Sequence, residues 1–90
     1  MKEIINIIDN LEDESEQDKK QIKRALKCTK YELHKDGEKT SNVSRKKAIE
    51  LLGNEIFVSG LERSAFHYTA FRTNNDIGIL FDSSDLFEEV

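Results

Sequence analysis

The stretch Lys30-Tyr31-Glu32-Leu33-His34-Lys35-Asp36-Gly37-Glu38-Lys39-Thr40-Ser41-Asn42-Val43 decides the fold. Tyr31 and Leu33 alternate with Lys30, Glu32 and His34, the two-residue period of a half-buried strand. Asp36-Gly37 supplies two residues that accept positive φ, which a two-residue hairpin turn demands. Strands are therefore expected at about 30–35 and 38–43. Leu33 also continues the apolar face of the preceding helical segment, so the start of the first strand stays open.

Upstream of this hairpin the period is helical. Ile4, Ile7, Ile8 and Leu11 fall at i, i+3, i+4 and i+7, one face of a short helix. Ser15, with Asp18 three residues on, forms a capping-box-like start for a second helix, along which Ile22, Ala25, Leu26 and Thr29 share a face. Downstream, Ser44 is placed to cap a helix running through Leu52, and Gly53 to stop it. Asn54–Gly60 is read as one more helical turn. Phe66–Thr73 is read as a strand, with Phe66, Tyr68 and Ala70 alternating against His67, Thr69 and Phe71; Thr73–Asp76 turns and Ile77–Asp82 returns. Ser84–Val90 is expected to form a last acidic turn of helix. No internal repeat is visible. The prediction is an α+β chain forming a single domain. Residues 1–29 make an N-terminal helical hairpin, and residues 30–90 a small ββαββ module of antiparallel hairpins, with Phe57 and Leu61 in the core.

Composition narrows the function classes. Ninety residues with 37% hydrophobic and 36% charged side chains can bury one modest core, a poor setting for a deep metabolic active site. The single Cys28 excludes an internal disulfide. No apolar run approaches the ~20 residues that span a bilayer, and the N-terminus is too short and too interrupted by polar residues for a signal peptide. The expected location is the cytoplasm of a host cell.

The charges are sorted into blocks beneath a formal total of −4. Residues 1–18 carry one Lys against seven acids, residues 19–47 eleven Lys and Arg against Glu32, Asp36 and Glu38, and residues 48–90 Arg63 and Arg72 against eight acids. Such blocks create local fields that choose partners.

Two opposite sites follow from them. Glu12, Asp13, Glu14, Glu16 and Asp18 form an acidic cluster suited to imitating a phosphate backbone inside a partner's nucleic-acid groove; a solvated helix connection is the plainer account. On a wheel of ~100° per residue, Lys19, Lys20, Lys23, Arg24, Lys27 and Lys30 fill an arc of ~140° on the second helix. This stripe suits phosphate or an acidic protein, and the plainer account is internal pairing with the acidic blocks. Arg45, Lys46 and Lys47 occupy the first turn of the third helix, where the dipole prefers acids, so free N–H groups and three cations mark an anion site. Pairing with Asp85, Glu88 and Glu89 is the alternative.

Cys28, His34 and His67 offer zinc ligands without a standard spacing, and no metal or cofactor is expected. A small zinc-binding interaction module is the third reading. Ser59, Ser64, His67 and Asp82 include hydrolase residue types without a nucleophile elbow. A non-enzymatic chain is expected.

From about Tyr31 to Phe87 the chain resembles small proteins of phages and mobile elements of low-GC Gram-positive bacteria. Ser44-Arg45, Ala48-Ile49-Glu50-Leu51-Leu52-Gly53, Ser59-Gly60-Leu61, Arg63-Ser64-Ala65-Phe66-His67 and Phe81-Asp82-Ser83 carry the resemblance. Small acidic proteins of that setting are often stoichiometric inhibitors, including anti-CRISPR proteins that block RNA-guided nucleases. The resemblance implies a protein partner and surface occlusion; a small nucleic-acid-binding regulator using the central basic block is the alternative, and no membrane is involved.

Overall fold

The computed structural model describes residues 1–88. Its elements run α1 (Lys2–Asp9), α2 (Glu16–Cys28), β1 (Lys30–Lys35), β2 (Glu38–Val43), α3 (Arg45–Leu52), α4 (Asn54–His67), β3 (Thr69–Asn74), β4 (Ile77–Asp82) and α5 (Ser84–Glu88). The expected α+β architecture holds, with the helical pair followed by two antiparallel hairpins. Glu89 and Val90, the end of the expected last turn, lie outside the described residues.

Both hairpins form as their turn residues require. Asp36 and Gly37 take φ of 53° and 81°, and in the second turn Asn75 takes 58°. Thr40 is an extra residue in β2, lying between the pairs Leu33–Ser41 and His34–Lys39, and its hydroxyl donates to the Leu33 carbonyl at 3.2 Å. The hairpins join through β1 and β4 into one antiparallel sheet of order β2-β1-β4-β3.

The structure corrects the stretch between the hairpins. After α3, the expected single turn at Asn54–Gly60 is the start of a full helix, α4, which continues to His67, so the strand expected from Phe66 begins only at Thr69. Gly60 therefore lies inside a helix, where glycine ordinarily costs about 1 kcal/mol relative to alanine. A Cβ there would sit 2.6 Å from the Phe81 ring, so the glycine lets α4 approach β4. Gly53, at φ 86° and ψ 158°, turns the chain between α3 and α4 in a region almost reserved for glycine. It is not the left-handed helical stop expected from sequence.

The same local order occurs twice: a helix, two six-residue strands joined by a two-residue turn, and a further helix. Ile22, Ala25, Leu26 and Tyr31 in the first unit correspond to Leu61, Ser64, Ala65 and Ala70 in the second, and all are buried. The pattern is invisible in the sequence because equivalent positions share burial and not residue type.

Ile4 and Ile8 fix α1 against α2 and α4, while α4 lies across β3 and β4. Tyr31, Phe57 and Phe81 meet in the centre with ring centroids 5.4–5.6 Å apart. Beside them runs a line of hydroxyls. Ser64 donates to the Leu61 carbonyl at 3.1 Å, Ser83 donates to Ser64 at 2.9 Å, and Thr29 lies 2.7 Å from Ser83. This line ties α2, α4 and the end of β4 together. Ser64→Ala is expected to cost about 1 kcal/mol by removing the buried Ser83–Ser64 hydrogen bond and leaving the Ser83 hydroxyl with Thr29 alone, read as a lower urea midpoint at unchanged m-value.

Candidate functional site

The acidic turn is partly solvated and partly packed against the fold. Glu12 and Asp13 are exposed, while Glu14 is half-buried; Glu16 opens α2, and the Asp18 N–H is capped by the Ser15 hydroxyl at 3.1 Å. The Glu14 carboxyl is held above its ordinary value by desolvation first, then by the charges of Glu62 and Asp18. Three carboxyl groups thus converge from the α1–α2 connection, α2 and α4.

Helix α4 supplies the rest of this face. Ser59, Glu62, Arg63 and Phe66 recur at i, i+3, i+4 and i+7 and, with Glu14, His67 and Arg72, line one shallow hollow of about 310 Å³. Arg72 reaches it from β3, its Nε donating to the Ser59 hydroxyl at 3.1 Å. The Phe66 ring is 39% exposed at the rim. An exposed aromatic edged by two carboxylates, Glu14 and Glu62, and two guanidinium groups, Arg63 and Arg72, has the anatomy of a protein-docking patch.

Backbone geometry next to this patch is unusual. Tyr68 has φ 68° and ψ −49°, a rare conformation for a residue with a side chain. It is held there by Ser83, whose N–H donates to the Tyr68 carbonyl at 2.7 Å, and by its ring lying 4.3 Å from that of Phe87.

The basic stripe is divided by the fold. Lys19 donates to the Asp9 carbonyl at 2.8 Å and Lys23 pairs with the Asp9 carboxylate, so two stripe residues neutralise the C-terminal end of α1. Lys30 pairs with Asp85 at 3.4 Å. Arg45 points back and donates to the Leu26 carbonyl at 3.1 Å, at the end of α2. Lys20, Arg24, Lys27, Lys46 and Lys47 are exposed.

The remaining candidate residues do not assemble. Cys28 ends α2, His34 lies on β1 and His67 ends α4. No group of three or more His, Cys, Asp or Glu able to hold a metal ion forms among the described residues. The hydroxyl of Ser64 is committed to Leu61, that of Ser59 to Arg72, and the Asp82 carboxylate to the N–H and hydroxyl of Ser84 at 3.0 and 2.7 Å. None of the described helices is long and apolar enough to cross a membrane.

Glu62, Arg63 and Phe66 were missed as site residues by the sequence reading. Their i, i+3, i+4 spacing was available, but reading Gly60 as a break in the helix dispersed it. No protein-family model matches this chain, nor does any curated protein or solved structure.

Glu14 gives the face a pH signature. A carboxyl raised in the folded state binds more protons folded than unfolded, so its contribution to stability is complete below 4.5 and is lost as pH rises through the raised value. Asp82, lowered chiefly by the Ser84 hydrogen bonds, acts in the opposite direction, and its contribution is lost as pH falls below 3.8. Glu14→Gln is therefore expected to gain stability relative to the parent chain as pH rises above 4.5, in paired urea titrations across that range.

Proposed function

We propose that this chain is a non-enzymatic, protein-binding inhibitor or regulator that docks its acidic, aromatic-edged face on a basic surface of a protein partner. The convergence of Glu14, Asp18 and Glu62 beside the exposed Phe66 carries the reading. Like charges drawn together from three elements oppose folding, and a cationic partner relieves them. Phe66 supplies the apolar anchor that a purely solvated connection lacks.

In its most concrete form the partner is an RNA-guided nuclease whose nucleic-acid-binding surface the chain occludes, as the resemblance to small mobile-element proteins implies. Carboxylates on a folded scaffold match a channel built for phosphates, and electrostatic complementarity of this kind speeds docking and selects the partner. The hollow is shallow and open, which suits a flat macromolecular contact.

The test is a competition between the chain and target DNA for a purified, guide-loaded nuclease. Mutually exclusive binding that weakens as salt rises is expected. A chain that binds free DNA and leaves the nuclease unoccupied would instead assign the activity to the central cations.

A further inference from the structure

At the opposite end of α2 lies a second surface with its own chemistry. The helix has thirteen residues, which at 1.5 Å per residue separates its two ends by about 20 Å. The end of α2, the open end of the first hairpin and the start of α3 enclose a cleft of about 420 Å³. Lys27, Lys30, Lys39 and Arg45 line it against two carboxylates, Glu32 and Asp82. Those acids already have partners: Glu32 faces Lys39 at 3.5 Å, and Asp82 accepts from Ser84. Lys27 has no ion-pair partner among the described residues, so positive charge remains in excess.

Helix α3 opens into this cleft. The Ser44 hydroxyl accepts from the Lys47 N–H at 3.1 Å, which satisfies one of the first-turn donors. The Arg45 N–H has no acceptor among the described residues, and the helix dipole adds positive potential there. Arg45 spends one of its five donors on Leu26.

The independent observation is Tyr31. It lines the cleft at 4% exposure, and its hydroxyl is buried with no hydrogen-bond partner among the described residues. Phenylalanine would fill the same place between Phe57 and Phe81 without the cost of burying an unsatisfied hydroxyl. Burial pushes this phenol up, so it keeps its proton and remains a donor, and the Arg45 charge acts on it from the cleft side. An unpaired donor, an open backbone N–H and spare cations share one requirement, an anion with several acceptor oxygens.

We propose that the cleft between the end of α2 and the start of α3 binds a phosphate group. Its ligands are the Tyr31 hydroxyl, the Arg45 N–H, the Arg45 guanidinium and the Lys27 ammonium. The phosphate is either a free phosphomonoester or one unit of a single-stranded nucleic acid. This site is separate from the acidic face and stands whether or not that face binds a protein.

The test follows backbone amide shifts of the full chain during titration with inorganic phosphate, a nucleoside monophosphate and a short single-stranded oligothymidylate at low salt. Saturable shifts at Arg45 are expected, with affinity reduced about tenfold by Tyr31→Phe, which deletes one hydrogen bond to a charged group. Tyr31→Phe should at the same time leave the fold as stable as the parent or more so, which separates lost binding from lost structure. Lys27→Gln should weaken binding as well, and for the oligonucleotide it should flatten the log–log salt slope by about 0.7. Saturation by phosphate or the monophosphate identifies a phosphomonoester, and saturation by the oligonucleotide alone identifies a nucleic-acid strand. No saturable shift with any of the three at millimolar concentration overturns the proposal. Binding indifferent to both Tyr31→Phe and Lys27→Gln does the same.

Discussion

Phe81→Ala is expected to remove about 3–5 kcal/mol of stability, the usual cost of emptying a buried aromatic site. A domain of this size has only about 5–15 kcal/mol in total, so the variant should be largely unfolded under mild denaturant. The size of the effect follows from position. Phe81 lies on β4, one of the two central strands, fully buried, with Tyr31 edge-on at 5.4 Å and Phe57 at 5.5 Å. Both hairpins and α4 lean on this ring, so the cavity cannot close by moving one element. The companion test is Gly60→Ala. Alanine in a helix interior ordinarily stabilises by about 1 kcal/mol relative to glycine. Here its Cβ would meet the Phe81 ring at 2.6 Å, and the sign is expected to invert, to a loss of about 1–3 kcal/mol. A gain from Gly60→Ala in urea denaturation would show that α4 and β4 are not packed this closely.

The second large effect falls on binding. Reversing Glu12, Asp13 and Glu14 to Lys together is expected to lower affinity for the protein partner on the order of a hundredfold and to abolish its loss with salt. Three carboxylates become three cations facing a basic surface, so attraction turns into repulsion. Phe66→Ala should cost about thirtyfold through the loss of a central aromatic anchor, with little change in salt dependence. The two variants therefore separate the electrostatic and apolar parts of the contact in one set of binding curves. All four side chains are exposed or half-buried, so neither variant should be grossly unfolded, and the charge reversal, which takes the Glu14 carboxylate away from Glu62 and Asp18, should be at least as stable as the parent.

The hairpins were legible in the sequence because local chemistry alone specifies them. Asp36-Gly37 accepts the positive φ of its turn, and Ile77–Asp82 is apolar enough to be a buried strand whatever surrounds it. The caps at Ser15 and Ser44 were legible for the same reason, each hydroxyl accepting from the N–H three residues on. Helix α4 was hidden because its continuation past Gly60 depends on a tertiary contact, the approach to Phe81, that no local pattern encodes. The alternation from Phe66 to Phe71 then straddled the end of a helix and the start of a strand and imitated a single strand. Of the acidic site, Glu12–Asp18 could be read from charge alone, whereas Glu62 and Phe66 join it only through the packing of α4 against the α1–α2 connection. The basic stripe was visible as a stripe, but its division was not. Asp9 draws off Lys19 and Lys23 because α1 folds back alongside α2.

The most direct test of the acidic docking face is affinity capture of the tagged chain and of the Glu12, Asp13, Glu14 charge-reversal variant with a purified guide-loaded nuclease. Each capture is made with and without DNase and RNase. The account predicts that the parent chain retains the nuclease after digestion of exposed nucleic acid and that the variant does not. Capture that disappears on digestion, or that survives charge reversal undiminished, would contradict it.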